Sequence, residues 1–499
     1  MAAKPNGHIS RIAVIGSGFA GLSAAAYMGK AGYHVDVYEK NQQLGGRARQ
    51  LITENGYLFD MGPSWYWMPD VFERFFNDFG YTSGDFYELE ALDPGFSIVY
   101  SENEVLDVPS DYQGIRNLFE SIESGSALRL DQFLKEAEFK YKVGMEKLVY
   151  KPGLSLTEFA DVDLMKGVFK LQVFTSFSKH VKKFFKHPKL VALMEFPVLF
   201  LGAMPQDTPA LYSLMNYAGL KLGTWYPKGG FSSVIKAMKT VAERQGVNFY
   251  FDKPIIDFTI HNRLVSEIGL KNERKPYDGI IAAADYHHIE EKLLGNQYRN
   301  YSNAYWDKRV LAPSCLIFYI GVNRRIDKLK HHTLFFDQDL KQHALEIYKQ
   351  PAWPSKPLFY VCCPSKTETG LAPEGHENLF ILMPLAPGLE DGEILREKYF
   401  ELILGRLEKY TGNPIRKHLD YKKSYCVSDF IADYNSYRGN AYGLANTLMQ
   451  TANLKPSLKN NKIDNLFYAG QLTVPGPGVP PSIISGNVAA QQLVKYFNH

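Results

Sequence analysis

Gly16, Gly18 and Gly21 form a G-x-G-x-x-G series directly after Ile12–Ile15, a short, β-branched, uncharged run. Such a run suits a buried strand of a parallel sheet. Gly16 permits a tight turn, and Gly18 puts no side chain between backbone and a pyrophosphate. Gly21 lets the following helix, predicted over Leu22–Lys30, pack closely on the strand. Phosphates would then meet the N–H groups and dipole of a helix N-terminus. Gly32 ends that helix, and a second apolar run, Val35–Tyr38, ends at Glu39. A carboxylate about 20 residues beyond the glycines suits ribose hydroxyls and repels a 2′-phosphate. This order of strand, glycine turn, helix, strand and acid predicts a dinucleotide other than NADP.

Two further stretches refine that reading. Leu44-Gly45-Gly46-Arg47 again brings bare backbone close to a ligand, with Arg47 as a fixed cation for phosphate. It resembles the G-G-R element of the FAD-binding superfamily of amine oxidases, protoporphyrinogen oxidases and carotenoid desaturases. At the other chain end, Asn465–Gly470 reads as a short strand followed by a Pro/Gly loop and a helix over about Ser482–Tyr496. The first N–H groups of that helix are expected to face an electron-rich group. Both chain ends therefore close one discontinuous cofactor domain.

The chain has 499 residues, more than one hydrophobic core usually serves. A net charge of +3 gives no reason to expect nucleic acid. Aromatic residues reach 14%, an excess that suits a large apolar cavity or a membrane-facing patch. Cys315, Cys362, Cys363 and Cys426 form no C-x-x-C pair and no zinc spacing, and read as reduced thiols of a cytosolic protein. The polar stretch Met1–Ser10 fits no signal peptide.

The elements that position these residues follow from periodicity. Asp70–Phe79 reads as a helix, Tyr87–Val108 as strands, and about Tyr112–Tyr217 as a long helical region. Within it, Leu164–Met194 carries seven Lys and no Asp or Glu. Phe174, Phe177, Val181, Phe184 and Phe185 form a helical stripe, with Lys179, Lys182, Lys183 and Lys186 largely off it. That is the pattern of a monotopic membrane-surface helix, or of a core-facing helix with a solvated lysine face. Further on, Ser232–Gln245 reads as a helix, and Val247–Asp252, Pro254–Thr259 and Ile280–Asp285 as strands. Val310–Val322, Leu358–Cys363 and Leu379–Met383 also read as strands, and Leu395–Tyr410 as a helix.

Across nearly its whole length the chain resembles the FAD-dependent carotenoid desaturases of the bacterial phytoene-desaturase type. The matching residues are the N-terminal series, Phe59–Trp67 with Met68-Pro69, Trp225–Gly230, His331-His332, Cys363–Gly375 and Gly470–Gly486. The resemblance implies an α/β fold: a discontinuous Rossmann-like FAD-binding domain, a mixed-sheet substrate domain and a helical, membrane-associated subdomain. The expected boundaries are 1–75, 225–290 and 456–499 for the FAD-binding parts, 76–111 and 291–455 for the substrate domain, and 112–224 for the helical region. It implies FAD as the only cofactor, held by Gly16, Ser17, Gly18, Ala20, Gly21, Glu39, Lys40, Gly46, Arg47, Gly62, Pro63, Ser64, Ile256, Gly470, Gln471, Pro481 and Ser482. Gln471 stands where many amine oxidases carry an acid.

The implied reaction removes two hydrogens from a lipophilic carotenoid such as phytoene, giving a more conjugated product such as lycopene. The enzyme would sit at the cytoplasmic face of a membrane, with quinone or oxygen as electron acceptor. The alternatives are a sister carotenoid enzyme (a 3,4-desaturase of hydroxylated carotenoids, a ketolase or an isomerase), an amine or protoporphyrinogen oxidase, and a non-enzymatic prenyl-lipid-binding module. No catalytic residue is assigned: Asp163, Glu195 and Tyr226 are proton-acceptor candidates that read more readily as structural. His331 and His332 have no spacing that supports a metal.

Overall fold

The computed structural model describes residues 10–154, 171–199 and 202–498. Five parallel strands form one sheet in the order Leu466–Tyr468, Gly279–Ala282, Arg11–Ile15, His34–Tyr38, Asn248–Tyr250. These strands come from three separated stretches of chain. The central one, Arg11–Ile15, is buried from Ile12 onward, which is why it reads as an unbroken apolar run. Helix Phe19–Lys30 starts three residues earlier than expected, with Gly18 as its N-cap. Almost all of this helix is buried, because the last helix, Val479–Phe497, and the helix Phe231–Arg244 both pack on it.

The crossing of the first and last helices is unusually close. A Cβ on Gly486 would fall inside the contact radius of Ala20 O, and would also crowd Ala24 N and Ser23 Cβ. Ser23 Oγ donates to Ile483 O at 2.7 Å across the same crossing.

A second, seven-stranded sheet runs Leu419–Tyr425, Ser314–Val322, Glu377–Leu385, Phe359–Cys362, His332–Phe335, Phe96–Ser101, Glu104–Val108. It is mixed: His332–Phe335 pairs parallel with Phe96–Ser101 and every other pair is antiparallel. Alternation gives its central strands two different faces. Leu316, Phe318 and Val361 pack with Ile403 and Leu407 of the helix Glu393–Thr411. Ile317, Tyr360 and Leu382 point the other way, toward the parallel sheet.

The expected long helical region is several helices: Tyr112–Ile122, Ser126–Val143, Phe177–Phe184, Pro188–Leu199 and Leu214–Leu220. Gly125, at φ 74°, separates the first two. The aromatic stripe faces inward, contrary to its membrane-facing reading. Phe177, Val181, Phe184 and Phe185 are buried, the last two with their rings on Phe133. Phe174 alone of the stripe is open, at 80% exposure. Periodicity defines an apolar face but not what covers it, and here the helix Ser126–Val143 does. Lys179, Lys182, Lys183 and Lys186 point outward. Asp163 and the start of the lysine-rich stretch, 164–170, lie outside the described residues. Among the described residues no helix is long and apolar enough to cross a membrane. All four cysteines are free and buried.

The helix crossing can be tested without touching a polar group. Gly486→Ala places a methyl against backbone, which no rotamer relieves, and overpacking of this kind costs about 1–3 kcal/mol. Its thermal midpoint should fall by several degrees. Gly405→Ala, on a helix face with nothing within 4 Å, should leave the midpoint unchanged or slightly higher.

Candidate active site

A cavity lies where the C-terminal ends of the parallel strands meet the inner face of the mixed sheet, and its lining comes from both chain ends and the middle. All the expected cofactor contacts line it except Gly21 and Ile256. Gly21 serves packing instead. Ile256 is 48% exposed and its N–H bonds Gly269 O, while the buried Ile255 faces the cavity. The segment here is extended, so neighbouring residues point to opposite sides, and the inward position falls one residue earlier than expected.

At one end the glycine turn and the G-G-R element face each other. Gly45 N–H donates to Ser17 O at 3.0 Å, and a Cβ on Gly46 would sit 3.3 Å from Gly18 Cα. Glu39 closes this end. Its carboxylate accepts from Ser17 N–H (3.1 Å) and Oγ (2.8 Å), and from Asn41 N–H (2.9 Å) and Nδ2 (3.0 Å). Lys40 Nζ donates to Ala432 O at 2.7 Å and Asn435 Oδ1 at 3.1 Å.

Arg47 is the dominant charge. Its Nη2 donates to Ser436 Oγ (3.0 Å) and Asn440 O (3.2 Å), and Tyr434 lies under its guanidinium at 5.0 Å. Its Nε has no hydrogen-bond partner among the described residues. Burial lowers its pKa and pushes that of nearby Asp285 up to about 6. A guanidinium stays charged even so. A buried cation with an unpaired N–H is costly unless an anion completes it.

The C-terminal half approaches from the opposite side. Gly470, at φ 114°, turns the chain out of the last strand, and its N–H donates to Ser485 Oγ at 2.9 Å. Gln471 Nε2 donates to Asn440 Oδ1 at 3.1 Å, so this amide is tied to the residue whose carbonyl holds Arg47. The last helix begins at Val479, earlier than expected, with Pro480 and Pro481 in its first turn. Those prolines remove two of the N–H groups expected to face the ligand. The helix dipole and the Val479 N–H remain.

The far end is apolar and aromatic, lined by Trp65, Trp67, Met68, Met215, Ile317 and Leu382. Among the described residues the carboxylates in the lining, Glu39, Asp285 and Asp433, all belong to the Arg47 end. Polar atoms at the apolar end include Ser64 Oγ and Tyr360 Oη, 3.0 Å apart, and Tyr360 Oη is 2.6 Å from His332 Nδ1 behind the wall. His331, His332 and Cys362 bring buried ligating atoms within 4.8 Å of one another, and His331 Nδ1 is 2.7 Å from Thr367 Oγ1.

Two sequence candidates for the proton acceptor lie off the cavity. Tyr226 donates to Glu368 at 2.6 Å within a turn whose Gly229 N–H bonds the same carboxylate. The neighbouring Phe231 N–H bonds Asp60, a buried acid whose pKa is pushed up to about 7 by burial. Trp225–Gly230 is thus a carboxylate-binding turn that seats a helix. Glu195 is buried in the helical region, and burial raises its pKa.

Sequence reasoning missed Asp285 as a cavity wall, Ser436 and Asn440 as partners of Arg47, and Tyr360. The run Arg438-Gly439-Asn440-Ala441-Tyr442-Gly443 carried a turn signal that could have drawn attention to Asn440.

A paired glycine turn, a buried arginine and a bipartite cavity closed by both chain ends define a dinucleotide-binding flavoprotein. The sequence profile of the flavin-containing amine oxidoreductases matches residues 19–494. A carotenoid 3,4-desaturase of Haloarcula japonica is 40% identical over 485 residues, 97% of this chain and 98% of that protein. A zeta-carotene-forming phytoene desaturase of Myxococcus xanthus is 29% identical, over 97% of this chain and 94% of that one. The solved structure of an oxidoreductase from Methanosarcina mazei shares the fold at a TM-score of 0.61 and 15% identity, over 97% of this chain and all of that one. The chain belongs to the flavin-containing amine oxidoreductases and, within them, to the FAD-dependent carotenoid desaturases.

FAD fits the residues present. The orphaned Arg47 Nε and the facing Gly18 and Gly46 backbones suit its diphosphate, and Glu39 stands where the ribose hydroxyls of a dinucleotide belong. When bound, FAD supplies a two-electron oxidant. Arg47→Met should raise the FAD dissociation constant at least tenfold, since a charge-assisted hydrogen bond contributes about 1.5–3 kcal/mol. The thermal midpoint of the FAD-free protein should not fall, because a buried, incompletely paired charge has been removed. Isothermal titration and thermal shift read the two effects separately.

Proposed function

We propose that this enzyme desaturates a carotenoid at the 3,4 position. The observation that carries the hydrocarbon substrate is the cavity's apolar end, walled by Trp65, Trp67, Met215 and Leu382, with every lining carboxylate among the described residues at the Arg47 end. A polyene has no polar handle, so its affinity must come from apolar burial, at about 25 cal/mol per Å². An amine would want an acceptor or anion at that end. The choice of the 3,4 position rests on the 40% identity to a carotenoid 3,4-desaturase. Desaturation of phytoene toward lycopene is the second reading, favoured by the likeness to phytoene desaturases of Myxococcus xanthus and Phycomyces blakesleeanus. Orientation and exclusion of water supply most of the catalysis. Quinone or oxygen takes the electrons onward, since the sequence carries no second nucleotide-binding series.

Anaerobic incubation with liposomes carrying either lycopene or phytoene separates the readings. The 3,4-desaturase reading expects bleaching of the FAD band and a red-shifted product from lycopene, and neither from phytoene. A coloured product from phytoene alone reverses the order. Oxidised FAD in both samples rejects both readings.

We also infer that the protein works peripherally at the cytoplasmic face of a membrane, where such substrates reside. Support comes from the outward Lys179, Lys182, Lys183 and Lys186 and from the exposed Phe174 nearby. Attraction to anionic lipid is about 1 kcal/mol per surface lysine. Lys182→Glu with Lys183→Glu should therefore weaken co-sedimentation with anionic vesicles at least tenfold at low salt and spare the thermal midpoint. Unchanged co-sedimentation removes the claim.

A further inference from the structure

Desaturation needs two acceptors. One C–H bond leaves with its electron pair, which FAD takes. The adjacent C–H bond leaves its pair behind as the new double bond, and its proton must go elsewhere. Water is excluded from an apolar pocket, so the protein has to hold that proton. A carboxylate at the hydrocarbon end would pay a large desolvation cost, and among the described residues the lining carboxylates are at the other end. The strength of the base matters little. A carbon chain that has lost a hydride carries a delocalised positive charge, and the hydrogen beside that charge is strongly acidic. A neutral lone pair on the wall suffices.

Tyr360 presents such a lone pair. Its strand, Phe359–Cys362, alternates, so Tyr360 and Cys362 face the cavity side and Val361 faces the helix Glu393–Thr411. Tyr360 lines the cavity, and its hydroxyl lies between Ser64 Oγ at 3.0 Å and His332 Nδ1 at 2.6 Å. With Ser64 donating to Tyr360 and Tyr360 donating to Nδ1, the chain of hydrogen bonds runs from the cavity wall into the imidazole. His332 sits one layer behind, its ring stacked on Trp65 at 4.1 Å and 9°. Trp65 is itself a wall residue, so the stack holds the imidazole in register with the hydroxyl. The Nε2 of His332 is buried without a hydrogen-bond partner among the described residues.

We propose that Tyr360 accepts the substrate proton and passes its own hydroxyl proton to His332 Nδ1, with Ser64 holding the phenol in line. The step balances: the phenol is neutral before and after, and the imidazole gains one positive charge. FAD, when bound at the Arg47 end, would be the two-electron acceptor for the pair from the first C–H bond. When product leaves, the proton returns through the same hydroxyl to the opened cavity. Tyr360 is the catalytic residue here, and His332 is the positioning residue that stores the proton. Burial holds the His332 pKa well below its ordinary value, which favours the neutral ring at rest and drives the borrowed proton back out once the cavity opens.

This inference rests on the carotenoid desaturase reading and not on which carotenoid is used. Any carotenoid on which the wild type is active serves, so a wrong substrate shows in the wild type and a wrong relay shows only in the variants. Tyr360→Phe removes the relay oxygen. His332→Gln keeps an acceptor for the phenol but cannot hold the proton. Each should lower kcat about 10²–10⁴-fold, the usual contribution of a positioned base. KM, FAD affinity, carotenoid binding by tryptophan quenching and the thermal midpoint should stay within about twofold or a few degrees of wild type. The wild-type kcat should be flat from pH 6 to 8.

Three outcomes overturn the proposal. One is kcat within threefold of wild type in either variant. Another is a rise in KM with kcat preserved, which would make the pair a packing feature. The third is stoichiometric zinc in the wild type that His332→Gln releases, which would mean that the imidazole lone pair serves a metal at His331, His332 and Cys362.

Discussion

The close crossing of the first and last helices is the constraint on which the site depends. Gly486 meets the Ala20 carbonyl with no room for a methyl group, and Ser23 Oγ donates to Ile483 O across the same crossing. These contacts fix the angle and depth at which the C-terminal helix enters. They thereby place the start of that helix and the Gly470 turn opposite the N-terminal glycine turn. Neither chain end alone forms a cavity. Small residues do here what they do wherever backbones must touch: they trade side-chain burial for position.

Position then separates charge from hydrocarbon. Arg47, Glu39 and Asp285 cluster around the glycine turns, and the inner face of the mixed sheet supplies the apolar remainder. The network Gln471–Asn440–Arg47 couples the two halves, because Asn440 receives the amide of one and its carbonyl holds the guanidinium of the other. A neutral Gln471 fits this role, since an acid in its place would receive rather than donate and would leave Asn440 Oδ1 without that bond. The arrangement places an anion site and a greasy slot in one continuous space, as a nucleotide-bound oxidant and a polyene substrate require.

Legibility differed from element to element for identifiable reasons. The strand at Ile12–Ile15 and its glycine turn were plain because burial on both faces and φ near 99° at Gly16 each restrict residue type sharply. The helix Leu395–Tyr410 was found within two residues of its observed bounds, Glu393–Thr411, because its apolar period is local. Within the stripe from Phe174 to Phe185, Phe177, Val181 and Phe184 form a helical face, whereas Phe174 lies in the turn before the helix and Phe185 just past its end; the main partner, Phe133 on another helix, is some 50 positions away in the chain. Ile256 illustrates the finer limit. In an extended segment, a shift of one residue exchanges inside for outside, and only register with neighbouring strands decides it.

The sequence by itself determined the dinucleotide turn, the acid that ends the second strand, the arginine after the paired glycines, and the family. Each is a short-range pattern in which neighbouring residues must meet one ligand, so spacing alone encodes it. Tertiary structure decided which residues complete Arg47, which way the basic helix turns its aromatic face, and that Ser64, Tyr360 and His332 share one line of hydrogen bonds. Those three stand in separate segments, and nothing in their local spacing signals that they meet. The meeting is made by strand pairing and by the packing of Trp65 on His332, forces that act between segments and leave no period in the chain.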